Sequence, residues 1–351
     1  MPGTLTGVGA DGRITLAHGG GGSAMRSLID EVFLAAFTQG PPVVQEDQAR
    51  LDLTTLAQAG DRLAFTTDAF VVEPLEFPGG NIGTLAVCGT VNDLAVGGAT
   101  PVALSAAFVL AEGLELAVLR RVVEAMARSA AQAGVRIVTG DTKVVPRHAC
   151  DGLFVTTSGV GVIRPEHTIS IAAGQPGDVV LVNGTLGDHG AAILCARGDL
   201  VLQAHLPSDC APLNTLVDVL LRAVPDVHCM RDATRGGVAG VLSELAEASG
   251  VLVTVEEAAL PVHPEVEGVC EILGLDPLFL ANEGKLVAVV PACHAKRALA
   301  ALQSHPLGRH AAIIGTLQAS ASGQGAVHVV NAFGGARVLT MPSGEQLPRI
   351  C

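Results

Sequence analysis

The chain has 351 residues, of which 49% are hydrophobic and only 16% are charged, and its formal net charge is −13. This length favours two domains, and the hydrophobic content is ample for a large core, which excludes a disordered tail protein or a coiled coil. The negative charge, the absence of a Lys/Arg cluster and the small share of aromatic residues (3%) argue against nucleic-acid binding.

The first part of the chain alternates helical and strand patterns. Apolar residues at helical spacing predict a helix over 23–37. The pattern then predicts a strand over 61–72 that breaks at Asp68, a small-residue helix over 81–99, a strand over 101–111, an amphipathic helix that ends at Gly134, and strands over 135–145 and 152–163. This alternation is typical of a layered α/β unit.

A Pro- and Gly-containing stretch over 164–178 resembles a linker, and a second alternation follows it. The pattern predicts strands over 178–184, 227–232, 251–257, 285–291 and 311–317, and helices over 187–197, 211–224, 236–250, 264–274 and 293–303. We therefore predict an α/β fold with mixed sheets. Its segments are a glycine-rich start and helix, an N-terminal domain, a C-terminal domain and a flexible tail, with limits at 1–40, 41–163, 164–340 and 341–351.

The eight cysteines are scattered singly without a CxxC pair, which disfavours a zinc site and suggests a cytoplasmic protein with reduced thiols. No apolar stretch is long enough to span a bilayer, and the first residues lack a signal-peptide pattern, so we expect no membrane partner. Cys351, the last residue, does not fit this simple interpretation. Eleven tail residues reach at most about 36–40 Å, so its thiol could visit more than one site.

Four glycines, Gly19, Gly20, Gly21 and Gly22, stand just before the first predicted helix. Exposed backbone N–H groups at a helix start form an anion site, although no GK[ST] follows as in a Walker A loop. A loose linker is an equally good interpretation of these glycines.

Four acidic residues are expected at strand ends or in loops after strands. They are Asp68, Asp93, Asp141 and Asp232. A single aspartate in such a position more often caps a helix or fills a turn. Four of them, each beside Thr, Asn or Gly, favour a site for Mg²⁺ and a nucleotide, because Mg²⁺ prefers hard oxygen ligands.

Two cations and one further carboxylate stand near these aspartates. Lys143 would share one strand face with Asp141, or the two would form a surface ion pair of little value. Arg235, between Thr234 and the glycines 236 and 237, would bring a cation to free N–H groups at a helix start, or merely precede a capped helix. Glu283 is a candidate general base or metal ligand, and equally a turn residue. Among the histidines, His189 is the best candidate for a functional role, because it lies at a predicted helix start near glycines.

Seven stretches together carry a family resemblance. They are AHGGGG, TTDAFVV, GTVNDLAVGGA, GDTKVV, RDATRGGVAGVLSE, ANEG and the terminal PRIC. The chain resembles the HypE family of hydrogenase maturation proteins nearly end to end. The internal motifs indicate the wider group of ATP-dependent aminoimidazole ribonucleotide synthetase, selenophosphate synthetase and thiamine monophosphate kinase, and the PRIC ending narrows it to HypE.

The resemblance implies a homodimer whose N-terminal domains bind ATP and pair their sheets into a barrel-like core. It implies that a carbamoyltransferase, HypF, loads a carboxamide onto Cys351. The carboxamide is then dehydrated with ATP to a thiocyanate, and the cyanide passes to iron on a HypC–HypD complex for the [NiFe]-hydrogenase site.

The resemblance also suggests roles for the candidate residues. The four aspartates would bind Mg²⁺ and ATP, and Lys143 and Arg235 would be the phosphate-side cations. Hydrogen bonds would come from Thr142, Thr234, Gly19–Gly22, Gly236 and Gly237. Glu283, or a water molecule, would accept the nitrogen proton. Two alternatives stay open: a kinase or synthetase of the same group that acts on a free small molecule, and a non-catalytic thiol carrier.

Overall fold

The computed structural model describes residues 12–38, 46–198, 206–321, 323–340 and 349–351. The first eleven residues and most of the predicted tail (341–348) lie outside the described residues. Within the described ranges the chain forms two α/β units, each built around its own sheet.

The N-terminal unit has a four-stranded mixed sheet in the order β1-β6-β4-β5, in which only β4 and β5 are parallel neighbours. A 3₁₀ turn (Leu16–Gly19) comes first, and a π-helical turn (Ile29–Leu34) joins the first two helices. The elements are α1 (Ser23–Leu28), α2 (Ala35–Phe37), α3 (Leu53–Ala59), β1 (Arg62–Phe70), β2 (Glu76–Phe77), β3 (Gly80–Asn81), α4 (Ile82–Val96), β4 (Ala99–Ala111), α5 (Leu116–Ala133), β5 (Arg136–Val145) and β6 (Leu153–Ile163).

Helices α4 and α5 cover one face of this sheet, and α4 is buried almost all round. Side chains alternate along β1 as strand geometry requires, so that Asp68 is directed to the opposite face from its neighbours Thr67 and Ala69. On that other face Leu63 is 61% exposed and Phe65 is 72% exposed. The N-terminal sheet therefore has one packed face and one open, partly apolar face.

The C-terminal unit has a seven-stranded sheet in the order β13-β12-β9-β11-β7-β10-β8. Helix α8 packs on one face, and α7 and α10 pack on the other, so the central strands β7 and β10 are buried and almost entirely apolar, with Asp178 at the start of β7 as the charged exception. The elements are β7 (Asp178–Val182), α6 (Asp188–Ala196), α7 (Asn214–Ala223), β8 (Cys229–Asp232), α8 (Gly237–Ser249), β9 (Val251–Glu256), α9 (Pro264–Leu273), β10 (Leu286–Pro291), α10 (Ala295–Gln303), β11 (Ala312–Ala319), β12 (Ala326–Val330) and β13 (Ala336–Leu339).

The predicted class, α/β with mixed sheets, is confirmed. The predicted strand break at Asp68 is wrong, because β1 continues through it to Phe70. The predicted helix over 81–99 and strand over 135–145 are confirmed, and they contain Asp93 and Asp141, so the placement of these two aspartates at strand ends or in loops is wrong. Of the four aspartates, only Asp232 ends a strand. The predicted segment limits stay predictions, because two sheets do not reveal where each unit would fold alone.

The end of the chain returns to the N-terminal core. Ile350 is 5% exposed and belongs to the same apolar cluster as Phe77 on β2 and Ile193 on α6. Cys351 packs against the edge of this cluster. The tail therefore ends between the two units, where elements of both meet. No helix in the described ranges is long and apolar enough to cross a membrane.

Candidate active site

A small cavity lies where the two units meet, and five parts of the chain form its wall. These are the end of β1, helix α4, the turn after β8, the loop before β10 and the C-terminus. Its lining residues are Asp68, Ala69, Phe70, Gly89, Asp93, Asp232, Thr234, Arg235, Glu283 and Cys351. Seven of these are residues that the sequence analysis selected, from segments up to 283 positions apart in the chain.

Three carboxylates converge in this cavity. Burial, reinforced by the charge of Asp93, raises the pKa of Asp68 to about 6. Burial, again reinforced by Asp93, raises the pKa of Asp232 from its usual 3.8 to about 7. Asp93 is held in place by Thr66, whose hydroxyl donates to its Oδ2 at 2.7 Å. The cluster thus concentrates negative charge that only Arg235 opposes among the lining residues.

This donor set suits a hard divalent cation that arrives with other ligands. Within the described ranges, no three His, Cys, Asp or Glu side chains are grouped to hold a metal ion alone. Carboxylates that repel one another gain stability from a cation between them. Mg²⁺ is usually bound by one or two carboxylates plus phosphate oxygens and water, so an incomplete protein shell of oxygen atoms fits Mg²⁺ with a nucleotide.

Glu283 and Cys351 meet on the opposite wall of the cavity. Glu283 is 2% exposed, and burial raises the pKa of its carboxyl well above the usual value. The thiol of Cys351 lines the cavity with this carboxyl group, whose buried Oε1 has no hydrogen-bond partner among the described residues. Burial, and then the Glu283 charge, raise the pKa of the Cys351 thiol well above its usual value. The pocket therefore stabilises both groups in their neutral, protonated forms.

A buried ion cluster fixes the loop that carries Glu283. Asp209 accepts hydrogen bonds from the backbone N–H groups of Glu283 and Gly284, both at 3.1 Å, and pairs with Lys285 at 2.8 Å. Lys285 also lies 3.5 Å from Asp188. Burial alone would raise the pKa of Asp209, but the Lys285 ammonium holds it below its usual value. Nothing in the sequence near Asp209 or Lys285 signalled this arrangement, which depends on tertiary contact.

Helix α4 connects the units beside the site. Asn92 accepts from the N–H of Leu213 at 2.7 Å and donates to the carbonyls of Ala211 and Glu283 at 3.1 and 3.3 Å. Its amide thus ties the first turn of α7 and the Glu283 loop to the helix that carries Asp93. Asn92 directly precedes the candidate residue Asp93, but nothing in its own sequence context indicates this role.

The remaining selected residues form a second group on the N-terminal sheet, outside the cavity wall. Lys143 and Asp141 are exposed on one face of β5, while Thr142 between them is buried, as the period of two predicts. Gly19 lies against the same strand, because a Cβ there would sit 2.8 Å from the Val144 nitrogen. Gly20–Gly22 follow Gly19 directly in the chain, so the glycine-rich segment starts next to the part of β5 that carries Asp141 and Lys143.

Gly236 and Gly237 frame the start of helix α8 beside Arg235. Both glycines have positive φ, +76° and +60°, and a Cβ at Gly237 would clash with the carbonyl of Leu278. Glycine suits this turn because it adopts positive φ and has no Cβ to collide with the neighbouring backbone. The turn places Thr234 and Arg235 in the lining of the cavity.

The geometry is that of a two-unit α/β protein with a carboxylate-lined cavity between its units, and the family comparisons agree with that class. Residues 45–163 match the family described as AIR synthase related protein, N-terminal domain, and residues 175–328 match the corresponding C-terminal domain.

A curated relative from Rhodobacter capsulatus, named carbamoyl dehydratase HypE, is 60% identical over 97% of this chain and 99% of its own length. The chain belongs to the HypE family of hydrogenase maturation proteins. A solved structure described as HypE in complex with ATP is 46% identical, with a TM-score of 0.90 over 96% of this chain and 99% of that one. A chain of a structure described as a HypE–HypF complex is 45% identical, with a TM-score of 0.77 over 80% and 90%.

Proposed function

We propose that this chain dehydrates a carboxamide carried on the sulfur of Cys351, using ATP, and so produces a protein-bound thiocyanate. The observation that carries the proposal is the position of Cys351, whose thiol meets Glu283 inside a cavity lined by Asp68, Asp93 and Asp232. A substrate atom, a candidate base and a metal–phosphate donor set therefore share one pocket.

The proposed reaction has two steps. The carboxamide oxygen attacks the γ-phosphorus of ATP, ADP leaves and the nitrogen releases its first proton, so an O-phosphorylated imidate forms whose oxygen is part of a phosphate leaving group. The nitrogen then loses its second proton, the C–O bond breaks, phosphate departs, and Cys351–S–C≡N remains. The net change on the protein is the loss of one water, because phosphate takes the oxygen and two protons leave nitrogen.

The residues suit this division of work. Glu283 is the proposed proton acceptor, since its carboxyl group lines the cavity with Cys351 and burial raises its pKa, which makes the ionised carboxylate a stronger base. Arg235 is the proposed cation for charge on the transferred phosphoryl group. Mg²⁺, bound with ATP, would neutralise phosphate charge, and Asp68, Asp93 and Asp232 would hold it.

The second group would serve the nucleotide as well. We propose that Lys143, Asp141 and Thr142, with the adjacent glycines 19–22, contribute to ATP and Mg²⁺ binding from the N-terminal sheet. The HypE structure described as a complex with ATP supports ATP as the nucleotide.

We further propose a homodimer, HypF as the donor of the carboxamide, and a HypC–HypD iron scaffold as the acceptor of cyanide. The structure described as a HypE–HypF complex supports the HypF partner. The open face of the N-terminal sheet, with Leu63 and Phe65 exposed, supports pairing of two such sheets. A cytoplasmic location suits the eight cysteines, none of which forms a disulfide.

Intact mass spectrometry tests the proposal directly. Incubation with the carbamoylating partner and ATP should add one carboxamide to Cys351 and then remove one water. Cys351→Ala should abolish both changes, and Cys293→Ala, which alters an exposed cysteine outside the cavity, should abolish neither. ATP turnover without Cys351 would instead indicate a kinase or synthetase, and an unmodified Cys351 would refute the proposal.

A further inference from the structure

Helix α6 offers two side-chain donors to the backbone of the tail. His189, in its first turn, has Nε2 2.7 Å from the carbonyl oxygen of Ile350. Arg197, just after its last residue, donates from Nη2 to the carbonyl oxygen of Arg349 at 2.8 Å. Eight residues separate the donors, about 12 Å along a helix, so one rigid element holds two successive peptide units of the tail.

The contact with His189 fixes the tautomer of its ring. A carbonyl oxygen can only accept, so Nε2 carries the proton and Nδ1 is the acceptor. The Ser208 hydroxyl, 2.8 Å away, therefore donates to Nδ1, and it accepts in turn from the N–H of Cys210 at 3.2 Å. Burial lowers the pKa of His189, which keeps the ring neutral. The single N–H donor of the neutral ring, at Nε2, therefore points to the Ile350 carbonyl oxygen.

Arg349 is held on both its backbone and its side chain. Its carbonyl also accepts from the N–H of Glu73 at 3.2 Å. Its guanidinium pairs with Glu73 at 2.8 Å and with Asp151 at 3.0 Å. The residue has φ of +54°, an uncommon value for a non-glycine residue, so the surrounding contacts select this conformation.

Ile350 supplies the apolar contact between these polar ones. It is buried in the cluster that contains Phe77 and Ile193, and Phe77 also meets the His189 ring edge-on at 5.5 Å. Each of the last three residues therefore has a matching environment. Arg349 pairs with two carboxylates, Ile350 lies in an apolar pocket, and Cys351 lies in the cavity with the Glu283 carboxyl group.

From this match we propose that helix α6, with Glu73 and Asp151, is a built receptor for a peptide end of sequence Arg-Ile-Cys. His189 and Arg197 are its positioning residues, which direct Cys351 at Glu283. The role in dehydration rests on the proposed function, whereas binding of the tail does not.

Alkylation of Cys351 in the full-length protein tests the receptor without ATP or partners. At fixed pH, iodoacetamide reacts with a docked thiol only when the tail opens, so the rate reports the open fraction. Cleavage after Glu345 releases the Cys351 peptide for mass spectrometry, and exposed Cys293 serves as an internal reference. Loss of one hydrogen bond should raise the Cys351 rate roughly five-fold in His189→Leu and in Arg197→Met, with Cys293 unchanged.

Two controls separate positioning from general loosening. His189→Gln keeps an N–H donor near Nε2 and should return the Cys351 rate to within about two-fold of the wild type, a rescue that a merely structural role of the ring would not give. Arg222→Met removes an exposed arginine paired with Asp218 on helix α7, and should leave the rate unchanged. Equal rates in wild type, His189→Leu and Arg197→Met would overturn the proposal.

A competition arm tests recognition of the sequence itself. The tetrapeptide Pro-Arg-Ile-Ser, which has no thiol, should displace the tail of the intact chain and raise the Cys351 alkylation rate. A tethered tail has an effective concentration on the order of millimolar, so several millimolar peptide is needed. The reversed peptide, Ser-Ile-Arg-Pro, should have no effect, and equal effects of both peptides would refute sequence-specific docking. Because no dehydration is measured, a failed mass change at Cys351 and a failed docking test are distinguishable.

Discussion

The carboxylate cluster should make the nucleotide-free protein less stable at neutral pH than in mild acid. The perturbation that isolates this effect is Asp232→Asn, which keeps the shape of the side chain and removes its charge. Asp68 and Asp93 lie in the same cavity, and their charges contribute to the raised pKa of Asp232.

The sign follows from the direction of the shift. Below about pH 4 the Asp232 carboxyl is protonated in the folded and unfolded states, so it does not affect stability. Above that pH the unfolded carboxyl ionises while the folded one keeps its proton, and stability falls until the folded pKa of about 7 is passed. A shift from 3.8 to about 7 corresponds to at most about 4 kcal/mol. Solvent contact of the half-buried side chain reduces this, and we expect about 2 kcal/mol.

Urea denaturation at pH 4 and pH 8, without Mg²⁺ or nucleotide, measures the effect. Asp232→Asn should match the wild type at pH 4 and be more stable by about 2 kcal/mol at pH 8. Asp218→Asn, which removes an exposed carboxylate from helix α7, is the matched control and should show no such pH-dependent gain. A variant that is no more stable than the wild type at pH 8, or a gain of equal size at both pH values, would contradict the reasoning.

Two further predictions concern the opposite wall of the cavity. Lys285→Met leaves the Asp209 carboxylate buried without its cation, and urea denaturation should show a free energy of unfolding lower by about 3–5 kcal/mol. A decrease below about 1 kcal/mol would show that the ion pair contributes little to stability. Glu283→Gln cannot accept a proton, so the carboxamide should accumulate on Cys351 and the water-loss step should slow by about 100-fold or more in an intact-mass time course. A wild-type rate in that variant would assign the proton to bound water.

Much of the fold was predictable because most helices and strands have local sequence signals, such as hydrophobic periodicity and capping residues. The helix after Glu115 shows an apolar stripe and ends in Gly134 at φ +71°, the left-handed position that glycine tolerates. The strands of the hairpin at 326–339 were missed because β13 is mostly exposed, so its sequence carries little hydrophobic pattern. The sequence predicts a strand break at Asp68 because charge is rare in strands, but the cavity beside β1 gives the carboxylate a polar environment.

Site residues that belong to a recognisable local sequence motif were predictable. Site residues whose role depends only on tertiary contacts were not. Residues such as Asp232 and Arg235 stand beside glycines that the backbone itself requires, so local pattern was enough to select them. Asp209 and Lys285 are ordinary charged residues in sequence, and their meaning arises from being buried together. Lys143 illustrates the reverse case, because its motif was distinctive and yet the residue lies outside the cavity wall.

The docked state of the tail has a further consequence for the order of the proposed reaction. Burial and Glu283 raise the pKa of the Cys351 thiol, so the docked sulfur should be a poor nucleophile, and we expect the proposed loading of a carboxamide to take place on a tail that has left the pocket. Once loaded, the sulfur carries no proton, and the returning tail would bring carboxamide N–H groups to the Glu283 carboxyl group in the same cavity. In the unloaded tail, burial and the Glu283 carboxyl group keep the Cys351 thiol protonated and therefore unreactive. In the loaded tail, the same carboxyl group would accept the carboxamide proton. One pocket would thus disfavour reaction of the free thiol and promote dehydration of the loaded carboxamide.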